Sequence, residues 1–103
     1  MVAVGGEIDL STAPAFEAAV ATALTEEPAV LVIDLSEVTF MASVGLRILV
    51  ATQDALRGSV QVAVVANNPA TSRPIQMTGL HEIISLYPTL DDALTSAKPN
   101  AKD

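Results

Sequence analysis

Five consecutive apolar residues, Ala29-Val30-Leu31-Val32-Ile33, constrain this chain more than any other feature. A run this short and this rich in β-branched side chains reads as a strand buried on both faces. Such a strand needs cover on both sides of its sheet, which places the chain among α/β folds. The run is expected to stop at Asp34. After a short link, Ser43 precedes a segment that is apolar almost all round: Val44, Leu46, Ile48, Leu49, Val50 and Ala51. That segment predicts a buried helix, with Ser43 as its N-cap. A hydroxyl then sits at the positive end of a helix and at the carboxyl edge of a central strand. Ligands and anions collect at that edge in open α/β sheets.

The flanking chain repeats the alternation. Val2-Ala3-Val4 reads as the end of a strand, and Gly5-Gly6 as a turn. Ser11 or Thr12 can cap a helix from about Ala13 to Leu24, with Pro14 tolerated in its first turn. Phe16, Val20 and Leu24 recur along one face of that helix. Gly58 closes the central helix. Val60–Val65 predicts the next strand, Asn67-Asn68-Pro69 a turn, and Ser72–Thr78 a short helix ending at Gly79. Pro74 belongs in the first turn of that helix or kinks it. Ile83–Tyr87 predicts a last strand. Thr89-Leu90-Asp91-Asp92 has the form of a capping box opening a helix from Leu90 to about Ala97. Residues 98–103 form a polar tail, expected to be disordered. The alternation implies a mainly parallel sheet of four to five strands with about four helices, all in one domain spanning 1–97.

Composition narrows the function. The chain has 103 residues, half of them apolar, which suffices for one core. It has no cysteine, so disulfides, thiolate metal sites and a Cys nucleophile are excluded. His81 is the only histidine, which argues against a Ser-His pair or a multi-His metal centre. The net charge of −7 argues against nucleic acid and anionic membrane as partners and favours a protein with a basic face. No apolar run approaches the ~20 residues that span a bilayer, and the start lacks the features of a signal peptide. The expected location is the cytoplasm. No cofactor is expected, and no nucleophile stands beside a base, so the reading is a binding module rather than an enzyme.

Asp34-Leu35-Ser36, Val38, Phe40-Met41, Ser43 and Gly45-Leu46 together resemble the signature of bacterial anti-sigma factor antagonists, the stand-alone STAS domains. Gly6-Glu7-Ile8-Asp9-Leu10 at the start, Asn68-Pro69-Ala70 with Arg73 after the third strand, and Met77 with Gly79-Leu80 extend the resemblance over nearly the whole chain. The resemblance implies a STAS-like α/β fold and a partner-switching role. Unphosphorylated, such a protein binds an anti-sigma factor and frees the sigma factor. The anti-sigma factor, an ATP-dependent serine kinase, then phosphorylates the serine that Ser43 matches here. The ATP belongs to the partner. Two departures stand out. Ala42 replaces the acid that normally precedes this serine. The family also carries a strand before the one ending at Val4, for which there is almost no room, so that strand is absent or the chain is truncated at its start.

The resemblance makes Ser43 the phosphoacceptor; its spacing alone makes it a helix cap, and the two roles are compatible. It also implies a partner surface made of Asp9, Thr12, Met41, Ala42, Val44, Gly45, Arg47 and Asn67. Each has a plainer role beside the functional one. Asp9 suits an Asx-turn leading into the first helix. Met41 is expected to be partly exposed and Val44 mostly buried. Gly45, inside a helix where glycine is costly, suggests close approach by another backbone. Arg47 is a rim contact or a solvated charge, and Asn67 a turn residue. His81 is read as a structural or surface histidine, and Asp91 and Asp92 as first-turn acids favoured by the helix dipole. The alternatives are a constitutive antagonist that is never phosphorylated, an accessory subunit of a transporter, and a small-ligand sensor. The oligomeric state is left open.

Overall fold

Every strand of the sheet runs parallel to its neighbours, and the order across the sheet is the order along the chain. The computed structural model describes residues 1–96. The elements alternate: β1 (Val2–Ile8), α1 (Ala13–Leu24), β2 (Val30–Met41), α2 (Ser43–Leu56), β3 (Gln61–Val65), α3 (Pro69–Met77), a single 3-10 turn (Leu80–Glu82), β4 (Ser85–Tyr87) and α4 (Leu90–Ser96). The end of the last helix at Ala97 and the tail 98–103 lie outside the described residues.

The two-faced strand is as the apolar run implied: Leu31, Val32 and Ile33 are all buried. Alternate residues serve two cores. Leu31, Ile33, Val62 and Val64 pack with Phe16 and Val20 of α1, Ile48 and Leu49 of α2, and Ile75 of α3. Val32, Ala63 and Val65 pack with Ala93 of α4 on the opposite face. Three helices therefore cover one face, and α4 covers part of the other.

β2 does not stop at Asp34. It continues to Met41, pairing with β3 only through Asp34 and with β1 alone beyond it. Two irregularities interrupt the β1 pairing, between Ala3 and Gly5 and between Gly6 and Glu7, and each leaves an extra residue on β2. At the first, Asp34 Oδ1 accepts from the Ser36 amide at 3.0 Å and from its hydroxyl at 2.6 Å. Each extra residue advances the buried series by one position, from Leu31, Ile33 and Leu35 to Val38 and then Met41. That spacing of three hides the strand from a search for period two. The same irregularities correct the reading of Gly5-Gly6. Both glycines lie within β1, and Gly6 takes φ +75°, a conformation that favours glycine.

α1 occupies the span its caps and periodicity predict. α3 begins three residues earlier than expected, at Pro69, because Asn68 is its N-cap and accepts from the Ala70 amide at 2.8 Å. Pro69 then fills a first-turn position, and Pro74 lies in the helix interior, where it supplies no amide to the helix ladder. The last strand shrinks to Ser85–Tyr87, since the segment before it coils into the 3-10 turn. α4 opens on the expected cap, with the Asp92 amide donating to Thr89 Oγ1 at 3.0 Å.

Candidate interaction site at the carboxyl edge of the sheet

In a parallel sheet all strand carboxyl ends share one edge, so the loops after β1, β2 and β3 gather there. The first two are directly joined: the Ala42 amide donates to the Ile8 carbonyl at 2.8 Å. Asp9, the next residue after Ile8, is thereby held close to the start of α2.

The loop after β1 is rigid because Asp9 organises it. Its Oδ1 accepts from the Ser11 amide at 3.0 Å, the Ser11 hydroxyl at 2.7 Å and the Thr12 amide at 3.1 Å. The Ser11 hydroxyl is the largest influence holding the Asp9 carboxyl below its usual pKa of 3.8, followed by the Thr12 amide. Thr12 stands at the N-cap of α1 without capping it through its side chain. Its hydroxyl instead accepts from the Asp9 amide at 2.9 Å and lies 3.0 Å from the Glu7 carbonyl, to which it can donate. Asp9 is therefore an Asx-turn residue whose side-chain bonds within the loop all use one carboxylate oxygen. Leu10, at the crest of this braced loop, is 81% exposed. Sequence reasoning missed it, since a single leucine in a loop carries no periodic signal.

At the start of α2 the order of roles differs from the expected one. The N-cap is Ala42, with extended backbone at φ −78° and ψ 169°, and it offers no side-chain cap. Ser43 is the first helical residue, not the cap, and it is exposed. The position where the family carries an acid is thus the capping position, and alanine leaves the first-turn amides without that partner.

Met41 is buried at 5% exposure, not partly exposed. It is drawn inward by the second irregularity of β2, and Gly45 makes the space. A Cβ on Gly45 would stand 2.7 Å from Met41 Cγ, 2.9 Å from its Sδ and 3.0 Å from Ile8 Cγ2. The close approach that Gly45 implied is therefore made by a side chain, not by another backbone. Val44 packs against the core with most of its surface buried, Ala42 is partly buried, and Arg47 is exposed one turn beyond Ser43. The structure brings Asp9, Thr12, Ala42, Ser43 and Arg47 to one region, with Met41 and Gly45 beneath it as support.

On the third loop, Asn67 is exposed and Asn68 is structural. The Asn68 Nδ2 donates to the Val38 carbonyl at 3.1 Å and the Ser36 carbonyl at 3.3 Å. This closes the side of β2 that β3 leaves unpaired. His81 is exposed in the 3-10 turn, and Asp91 and Asp92 lie in the first turn of α4. Among the described residues no group of three or more His, Asp or Glu could hold a metal ion, and no helix is long and apolar enough to cross a membrane.

The STAS domain family model matches residues 1–93. An anti-sigma-F factor antagonist, RsfB, of Mycobacterium tuberculosis is 47% identical over 98 residues, covering 95% of this chain and 80% of that protein. The anti-sigma-B factor antagonist of Listeria monocytogenes is 36% identical over 84 residues, covering 81% and 74%. The crystal structure of an anti-sigma factor antagonist from Mycobacterium paratuberculosis superposes with a TM-score of 0.87 at 54% identity, over 91% of this chain and 80% of that one.

Proposed function

The chain belongs to the STAS domain family, among the anti-sigma factor antagonists, and from that premise we propose that it binds an anti-sigma factor and is released when Ser43 is phosphorylated. The observation that carries this reading is the placement of Ser43. It is exposed, it opens α2, and it lies on the edge that Asp9 and Thr12 brace. The names of the relatives supply the class of partner.

Unmodified, the edge around Ser43 docks on the anti-sigma factor, which then lets its sigma factor go. In the reverse step the anti-sigma factor acts as a serine kinase. The Ser43 Oγ attacks the γ-phosphorus of ATP held by the partner, and the Oγ–P bond forms as the bond to the β-phosphate oxygen breaks. ADP leaves, and the hydroxyl proton passes to a base on the partner. The phosphate adds about −1.5 to −2 charges at the centre of the contact. A dianion there buries poorly against a closely packed partner, so the complex parts without refolding the domain.

Ala42 favours a second reading, a constitutive antagonist, because the residue before the acceptor serine carries no carboxylate. Intact-protein mass after incubation with the anti-sigma factor and ATP separates the two. One phosphate on the wild type and none on Ser43→Ala supports the switch. A stable complex with no phosphate on either protein supports constitutive binding. Tight binding by Ser43→Asp, equal to the wild type, would sink the switch.

A further inference from the structure

Arg47 follows Ser43 by one helical turn, and both residues are exposed. Side chains at i and i+4 are neighbours on a helix surface, with Cβ atoms about 5–6 Å apart. Helical side chains lean toward the N-terminus, so the long Arg47 chain is able to reach back over the turn that carries Ser43. An acid N-terminal to a base at this spacing is the more favourable of the two orders. The only ion pair among the described residues is Arg57 with Asp54 at 2.8 Å, so Arg47 has no salt-bridge partner among them. Nothing in α2 holds its guanidinium elsewhere: the helix has no acid in its first turn.

We propose that Arg47 clasps the phosphate of phosphorylated Ser43 within the same helix, and so changes from a free surface cation into the internal counter-ion of the modification. This rests on the reading of Ser43 as the phosphoacceptor. A guanidinium presents paired N–H donors that match two phosphate oxygens, which an ammonium cannot do. The clasp has two effects. It removes from the docking edge a cation that the unmodified protein presents. It also makes the phosphorylated helix more stable than one carrying an uncompensated dianion. Arg47 is a positioning residue for the phosphate, not a catalytic one.

The test installs phosphoserine at position 43 during synthesis, so that it needs no kinase. The wild-type, Arg47→Gln and Arg47→Lys backgrounds are compared with their unmodified counterparts. Arg47 is exposed, so all three are expected to fold. The primary readout is the arginine Nε–H NMR signal. The Arg47 signal is expected to shift on phosphorylation while those of Arg57 and Arg73 stay in place. Thermal unfolding at low salt should show a phosphorylation increment about 2–4 °C larger in the wild type than in Arg47→Gln, with Arg47→Lys between them. The difference should shrink in high salt. An unmoved Arg47 signal, equal movement of all three arginines, or equal increments in all backgrounds overturns the clasp. Failure of an anti-sigma factor to phosphorylate Ser43 would overturn the proposed switch instead, and leave these measurements standing.

Discussion

Met41 fills the space that a side chain on Gly45 would need: a Cβ there would lie 2.7 Å from Met41 Cγ. The last residue of β2 and the third residue of α2 are thus fitted to each other directly beneath Ser43. Gly45→Ala gains about 1 kcal/mol of helix propensity and loses about 1–3 kcal/mol to overpacking, because Ile8 Cγ2 closes the other side. The net expectation is a loss of up to about 2 kcal/mol, read as a lower midpoint in urea with unchanged slope. Combining it with Met41→Ala should cost less than the sum of the two single changes.

Ala42 has the extended backbone of an N-cap and no oxygen to cap with. Ala42→Asp should raise stability by about 1 kcal/mol, or about 4–8 °C in Tm. The gain should fade in acid as the new carboxylate protonates. An unchanged Tm at neutral pH would show that the first-turn amides are already satisfied.

Asn68 has two roles that substitution can separate. Asn68→Asp keeps an N-cap acceptor for the Ala70 amide but removes the donor to the Ser36 and Val38 carbonyls. Although aspartate caps helices as well as asparagine does, the variant should lose about 1–3 kcal/mol. Faster hydrogen exchange in the second half of β2 would locate the damage.

The Asp9 carboxyl is held below its usual pKa by the Ser11 hydroxyl and the Thr12 amide. A depressed folded value means that the carboxylate stabilises the loop at any pH above the unfolded value of 3.8. That stabilisation is lost as pH falls through the lower folded value. Amide signals of Ser11 and Thr12 should therefore stay constant from neutral pH to about pH 4 and move only below it. In Asp9→Asn the acid transition at these amides should vanish.

Leu10 is exposed on the same braced loop. Leu10→Ala should leave stability within about 0.5 kcal/mol of the wild type. Its affinity for the anti-sigma factor should fall about tenfold or more, measured by calorimetry on the unphosphorylated protein.

Much of this architecture can be read from the chain because local and global preferences agree. α1 has Pro14 in its first turn and Phe16 and Val20 on one face, and its ends fall where those signals put them. The Ala29–Ile33 run needs no partner to be recognised as a buried strand. β2 is harder beyond Asp34, since Asp34 and Ser36 are turn residues by type. Here they sit inside a strand, bonded to each other at an irregularity that only the β1 pairing creates. The burial of Met41 follows from that same pairing and could not be read from its neighbours in sequence. The site divides in the same way. Its serine stands in a recognisable motif, whereas Leu10 and the division of labour between Asn67 and Asn68 depend on how three loops meet.

Strand order equal to chain order has a kinetic consequence. The pairs Val2–Ile33, Val30–Gln61 and Ala63–Ser85 each join residues about thirty positions apart or fewer. Every closure therefore costs a similar amount of chain entropy, and none waits for a distant terminus. Each pairing is still non-local and parallel pairs form slowly, so refolding is expected to be slower than that of a helical bundle of this length. On the ribosome each new strand meets an edge already in place, so β1, β2 and α2 are available to meet around Ser43 first, and the third loop, whose Asn68 bonds the Ser36 and Val38 carbonyls, completes that edge later.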